Sequence, residues 1–220
     1  MEKEETAVLA RVREILLIEA DAIGWSAKNQ DGEKLTAAVR ILSKATKIVV
    51  SGMGKVGHVG RRFAATLSST GTPSVFLHPA EAAHGDLGVL CAGDVLVVLS
   101  NSGKTREVLE LVTGATGLVP ALPVIVVTGT ATSPLAKVGT VVLYYGKIKE
   151  PCPLGMTPTA SIAVMSALLD ALALCVMERK GFTASAYSQR HHSGYLGQRA
   201  RAEARLQQYG PAVKTLEKKQ

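Results

Sequence analysis

Over residues 4–20 apolar side chains fall at Val8, Val12, Ile15 and Leu16 between charged neighbours, the spacing of one helical face. A second helix is predicted over 33–45, with Leu35, Val39 and Leu42 on one side. The pattern then changes. KIVVSG (47–52), PSVFL (73–77), DVLVVLS (94–100), PVIVVTG (123–129) and TVVLYYG (140–146) are short apolar runs without alternation. Such runs are strands buried on both faces. Helical patterns separate most of them, at about 56–69, 105–112 and 133–138, and a long one follows at 158–179, stopped by Gly181 and Phe182. EAAHGDLGVL (81–90) reads as a loop with a short helical turn. The predicted fold class is α/β, a three-layer sandwich with a five-stranded parallel sheet flanked by helices. The predicted layout is one domain over 1–197, with helices in 4–45 and the sheet core in 47–180, then a basic tail over 198–220.

Composition narrows the function classes. The 220 residues are enough for one well-cored domain. Of a formal net charge of +7, +5 falls from residue 190 onward, on Arg190, Arg199, Arg201, Arg205, Lys214, Lys218 and Lys219 against Glu203 and Glu217. That tail reads as a solvated, partly ordered terminus. Nucleic-acid binding needs a basic face interleaved with stacking aromatics, and the tail offers only Tyr195 and Tyr209, so no nucleic-acid partner is expected. TASIAVMSALLDALALCVM (159–177) approaches membrane-spanning length, but a mid-bilayer Asp170 costs about 2.5–3.5 kcal/mol. It reads as a buried helix, and no membrane association is expected. Cys91, Cys152 and Cys175 form no CxxC pair, and the acidic start MEKEETAVLARVREILLIE lacks a signal-peptide pattern, so a cytoplasmic protein is expected.

Two turns carry the chemistry. Each follows a strand and opens a helix, where free N–H groups and a partial positive charge favour anions. In SGMGKVGHVGRR (51–62), Gly52, Gly54 and Gly57 satisfy GxGxxG. The acid that a dinucleotide site places about 20 residues on is missing, since strand two ends in Leu77-His78-Pro79 and the nearest acid is Glu81. Lys55 within this turn is placed to meet a bound anion. The second turn, SNSGKT (100–105), ends like a P-loop, but Val98 stands where a P-loop has its first glycine. The loop is too short to wrap a β-phosphate. Ser100, Asn101, Ser102 and Thr105, with the helix N–H groups, can ring one phosphate monoester. Helix capping alone would call for one such residue.

GMGK-x-GH, STGTPS, HP-x-EAAHGDLG, SNSG, CPLG-x-xPT and GFT follow one another along the chain. In this order they resemble a SIS (sugar isomerase) domain, and more narrowly the arabinose-5-phosphate isomerases that feed Kdo synthesis. The resemblance covers about 35–197. It implies a five-stranded parallel sheet and homotetramers with sites shared between subunits. It also implies no cofactor or metal, and interconversion of D-ribulose 5-phosphate with D-arabinose 5-phosphate through a cis-enediol.

The resemblance assigns catalytic roles to Lys55, Glu107, Glu150 and His191. Glu150, in a loop stiffened by Pro151 and Pro153, is the expected base, with Glu107 as its partner. Lys55 would neutralise the enediolate or the phosphate. His191 would reach a neighbouring subunit's site for ring opening or proton shuttling. Gly54, His84, Ser100, Asn101, Ser102 and Thr105 would hold the sugar phosphate. Lys104 stands where these isomerases usually carry an acid, and His191-His192-Ser193-Gly194 replaces their His-Pro-Gly-Gly. These departures keep two alternatives open: an isomerase of another sugar phosphate, or a sugar-phosphate sensor without turnover. Many family members continue into paired CBS domains; here the resemblance stops near 197 and the basic tail follows.

Overall fold

Two helices come first, α1 (Glu2–Lys28) and α2 (Gly32–Lys44). The Asp31 carboxylate caps α2, accepting the amides of Glu33 and Lys34 at 3.1 Å. Five strands follow: β1 (Ile48–Gly52), β2 (Ser74–Phe76), β3 (Val95–Leu99), β4 (Val124–Thr128) and β5 (Val141–Tyr144). They form one parallel sheet in the order β2-β1-β3-β4-β5. Every residue of β1, β3 and β4 is buried, whereas β2 and β5 at the edges are partly exposed. The computed structural model describes the backbone of residues 2–217 and the side chains of residues 2–207.

The connections build the outer layers. α3 (Gly54–Ser69) joins β1 to β2, and α4 (Pro79–Ala82) with a 3-10 turn (Asp86–Val89) leads to β3. α5 (Arg106–Leu118) and α6 (Pro134–Lys137) follow β3 and β4, and α7 (Ala160–Arg179), α8 (Ala184–Arg190) and α9 (Gly194–Glu217) follow β5. One face of the sheet is covered by α2, α3 and α7 through Leu42, Phe63, Leu67, Met165 and Leu169. The other is covered by α4, α5 and α6 through Ala82, Val108, Leu111 and Leu135. α7 is long and apolar enough to cross a bilayer by composition alone. Here it lies against α1, α2 and α3, burying Val164, Leu172 and Val176, while Asp170 pairs with Arg62 of α3 at 2.6 Å.

Three elements differ from expectation. α1 continues to Lys28, and its first half leaves Val8, Leu9, Val12, Leu16 and Leu17 exposed, so the described residues do not cover its apolar stripe. α5 runs on to Leu118 because Leu111, Val112 and Ala115 keep the helical period on the core face. The basic tail is helical over Gly194–Glu217, and the expected boundary at 197 falls inside that helix. Its run of Ala, Arg, Gln and Leu favours helix without a core contact. Lys218 and Lys219 lie outside the described residues, as do the side chains of Tyr209 and Lys214.

At the amino edge of the sheet, Lys47 before β1 bonds Asp94 before β3 at 2.6 Å. The same carboxylate oxygen accepts the Cys91 amide at 2.8 Å, and no part of the Asp94 side chain is exposed. Removing one partner leaves an uncompensated buried charge. Lys47→Met is expected to lose about 3–5 kcal/mol in urea unfolding. A loss below about 1 kcal/mol would show that the pair does not clamp β1 to β3.

Candidate functional site at the strand switch point

The chain leaves β1 towards β2 and leaves β3 towards β4, so the strand order reverses between two neighbours, with Gly52 of β1 beside Leu99 of β3. In open α/β sheets the crevice at that reversal, beyond the strands' carboxyl ends, is where ligands bind. Both glycine-rich turns fall there. α3 and α5 begin at Met53 and Thr105 caps that make no side-chain capping bond, so the amides of both first turns remain available. Gly57 lets α3 start this close to β1: a Cβ there would lie 2.6 Å from the Gly52 carbonyl oxygen. Lys55 stands exposed in the first turn of α3, next to Gly54 with its φ of +59°.

The second turn is folded by its own hydroxyls. Ser100 Oγ accepts the Gly103 amide at 3.1 Å and pairs with Thr105 Oγ1 at 3.0 Å. Ser102 Oγ accepts the Lys104 amide at 3.2 Å. Gly103 has a φ of +60°, and a Cβ on it would overlap Ser133 Oγ, the cap of α6. The Asn101 carbonyl accepts the Gly129 amide at 3.1 Å and the Thr128 and Thr130 hydroxyls at 3.3 and 3.2 Å. Asn101 and Ser102 remain exposed, and so does Lys104.

The two glutamates occupy different surroundings. The Glu150 carboxylate sits on the N-terminus of α7: one oxygen accepts the Thr159 and Ala160 amides at 2.8 and 2.9 Å, the other the Ser161 amide at 3.3 Å. Three helix amides thus tie this carboxylate to the start of α7. Glu107 lies half-buried in the first turn of α5 and has no hydrogen-bond or ion-pair partner among the described residues. The Glu150 loop is braced by Arg11 of α1, whose guanidinium donates to the Pro151 carbonyl. Two residues past Glu150, Cys152 Sγ accepts the Thr157 and Met156 amides at 3.2 and 3.3 Å. These bonds, that from Thr157 foremost, lower its thiol from the ordinary 9.0 to about 7.

Neither His84 nor His191 is hydrogen-bonded to these groups among the described residues. His84 is exposed, in the turn between α4 and the 3-10 helix. His191 ends α8 and stacks on Tyr187 at 4.0 Å between centroids, with Nδ1 3.2 Å from the Tyr187 carbonyl oxygen. It lies past the far end of α7, a helix about 30 Å long. Lys180 there bonds the Thr72 hydroxyl at 3.1 Å in the turn that enters β2, at the sheet's amino edge.

Sequence reasoning missed two groups. Tyr145, fully buried just after β5, donates its hydroxyl to Asn101 Oδ1 at 2.6 Å. Burial, then the negative charge of Glu150, raises its pKa above the ordinary value. Its signal was a phenol at a strand's carboxyl end, masked by the apolar run that contains it. His78 ends the β2 segment with a buried Nδ1 that lacks a partner among the described residues.

Uncapped helix starts, a hydroxyl-lined loop and exposed lysines at a strand switch point define a doubly wound domain built to hold an anion. The SIS domain family matches residues 41–175, well over half of the chain, and the chain belongs to that family. It is similar to the arabinose 5-phosphate isomerase KdsD of Pseudomonas aeruginosa, 43% identical over 182 residues. That match takes in 83% of this chain and 55% of the relative, so the chain spans a little over half the relative's length. Among solved structures, a Bacteroides fragilis protein described as a phosphosugar isomerase involved in capsule formation superposes with a TM-score of 0.81 at 45% identity, covering 86% of this chain and 99% of that one. The c3406 protein of Escherichia coli CFT073, in complex with arabinose 5-phosphate, superposes with a TM-score of 0.80 at 31% identity, covering 84% and 98%.

The thiol geometry makes a pH-dependent prediction. With a pKa lowered to about 7, Cys152 is thiolate above that pH and thiol below it. Iodoacetamide labelling of Cys152, followed by peptide mass spectrometry, is expected to reach half its maximal rate near the same pH, about 7. A midpoint at the ordinary thiol value would contradict the Thr157 and Met156 bonds.

Proposed function

We propose that this chain is an aldose–ketose isomerase that interconverts D-ribulose 5-phosphate and D-arabinose 5-phosphate through a cis-enediol. The observation that carries this reading is the convergence of the α3 and α5 starts on the SNSGKT loop at the switch point. The named activity of the KdsD relative and the arabinose 5-phosphate complex of c3406 supply the substrate class. Ser100, Asn101, Ser102 and Thr105 with the α5 amides hold the phosphate. Gly54 keeps the start of α3 open beside it, and Lys55 neutralises charge on the enediolate. A base removes a proton from C1 of the ketose and returns it to C2, while a hydroxyl proton passes from O1 to O2.

Of the two glutamates, Glu107 is the candidate base because its carboxylate is unengaged, and Glu150 holds the loop to α7. This reverses the assignment expected from the resemblance. His84 and His191 act on the sugar's hydroxyls and ring, His191 from a neighbouring copy. Assembly into a homotetramer belongs to the same proposal, with the exposed α1 stripe as an interface. So does a cytoplasmic location. Lys104, where the family usually has an acid, favours a second reading in which the same machinery turns over a different sugar phosphate.

Proton NMR with D-ribulose 5-phosphate in deuterated buffer tests the reaction. The expected result is an arabinose 5-phosphate anomeric signal with deuterium at C2. Glu107→Gln should lower kcat roughly 10²–10⁴-fold, whereas Glu150→Gln should chiefly lower the melting temperature. Exchange lost only in a folded Glu150→Gln would return the base to Glu150. A different aldose phosphate would move the substrate, and binding without exchange would make the protein a sensor. Light scattering that finds a monomer would overturn the shared-site assembly.

A further inference from the structure

We propose that Tyr145 is a positioning residue that fixes the Asn101 side chain so that its amide N–H₂ group alone faces the bound phosphate. The proposal rests on the reading of SNSGKT as the phosphate loop.

The hydrogen bonds around Asn101 leave its side chain one free group. Its backbone carbonyl is occupied by three donors from the end of β4 and the turn after it, which pins the main chain. Its side-chain oxygen accepts the Tyr145 hydroxyl at 2.6 Å. What remains is Nδ2 with two N–H donors, on a residue that is otherwise exposed at the crevice. Amide groups can turn over, exchanging oxygen for nitrogen at little cost in shape. Tyr145 opposes that exchange. Its ring is fully buried, and Asn101 Oδ1 is the acceptor for its hydroxyl among the described residues. Turning the amide would place N–H₂ against the phenol and leave the buried O–H without an acceptor. It would also aim a carbonyl oxygen at the phosphate.

Gly129 completes the arrangement, because a Cβ at that position would overlap Asn101 Oδ1. The sheet thus joins three strand ends, those of β3, β4 and β5, in setting the direction of one amide. Burial and the neighbouring Glu150 charge keep the phenol protonated, so its role as donor persists through neutral and mildly alkaline pH.

Titration calorimetry with D-arabinose 5-phosphate, with melting curves of each variant, tests this. Tyr145→Phe is expected to weaken binding roughly three- to tenfold and to raise KM while kcat stays within about twofold, the pattern of lost uniform binding. Asn101→Ala should weaken binding roughly ten- to a hundredfold, and adding Tyr145→Phe to it should cost nothing more. Asn101→Asp is decisive for orientation. It keeps the acceptor for Tyr145 but turns a carboxylate oxygen towards the phosphate, so it should bind more weakly than Asn101→Ala. If Asn101→Asp binds as well as the native protein, the ligand meets Oδ1 and the proposal is wrong. Unchanged binding in a folded Tyr145→Phe also overturns it and leaves the phosphate loop standing. No binding by the native protein would overturn both.

Discussion

The parallel pairing of β1 with β3 is the constraint on which the rest depends. These strands exchange hydrogen bonds along their length, yet the chain departs from them in opposite directions. An ion pair between half-buried Lys47 and buried Asp94 clamps their amino ends. Their carboxyl ends therefore stay in register while the loops beyond diverge. Each loop turns directly into a helix, and both helices begin against the same gap. Glycines at 57 and 103 make this spacing possible, one by allowing backbone contact and the other by taking a left-handed turn beneath α6.

Polar groups along this edge have already been sorted by the fold. Acceptors are largely consumed: the Asn101 carbonyl and side-chain oxygen, the Ser100 and Ser102 hydroxyl oxygens and the Glu150 carboxylate all receive bonds from within the chain. The groups left facing outwards are mainly donors, namely helix amides, the Asn101 amide and the ammonium groups of Lys55 and Lys104. Glu107, in the first turn of α5, is a carboxylate without a partner among the described residues. A surface of donors suits an anionic ligand.

Much of this was legible in the chain before folding. Five non-alternating apolar runs specified a sheet covered on both faces, and the two turns specified its binding edge. The edge strands and the length of α1 were less clear, because periodicity shows a face and not what covers it. The partners of Glu150 lie nine to eleven residues further on, at a helix start that only the folded loop brings to it. Its capping position therefore could not be read locally. Tyr145 was hidden for a similar reason, since its bond reaches past β4 to the residue after β3. His191 was expected to serve a neighbouring subunit's site, and within this chain it lies beyond the end of α7.

The contact between Arg11 and Pro151 gives α1 a part in the chemistry of a loop more than a hundred residues away. The same helix carries Val8, Leu9, Val12, Leu16 and Leu17 to the surface on neighbouring turns. One helix thus presents an apolar stripe to the surface and a strut to the Glu150 loop. The outer helix and this loop are mechanically linked: loosening α1 would soften the loop that anchors α7.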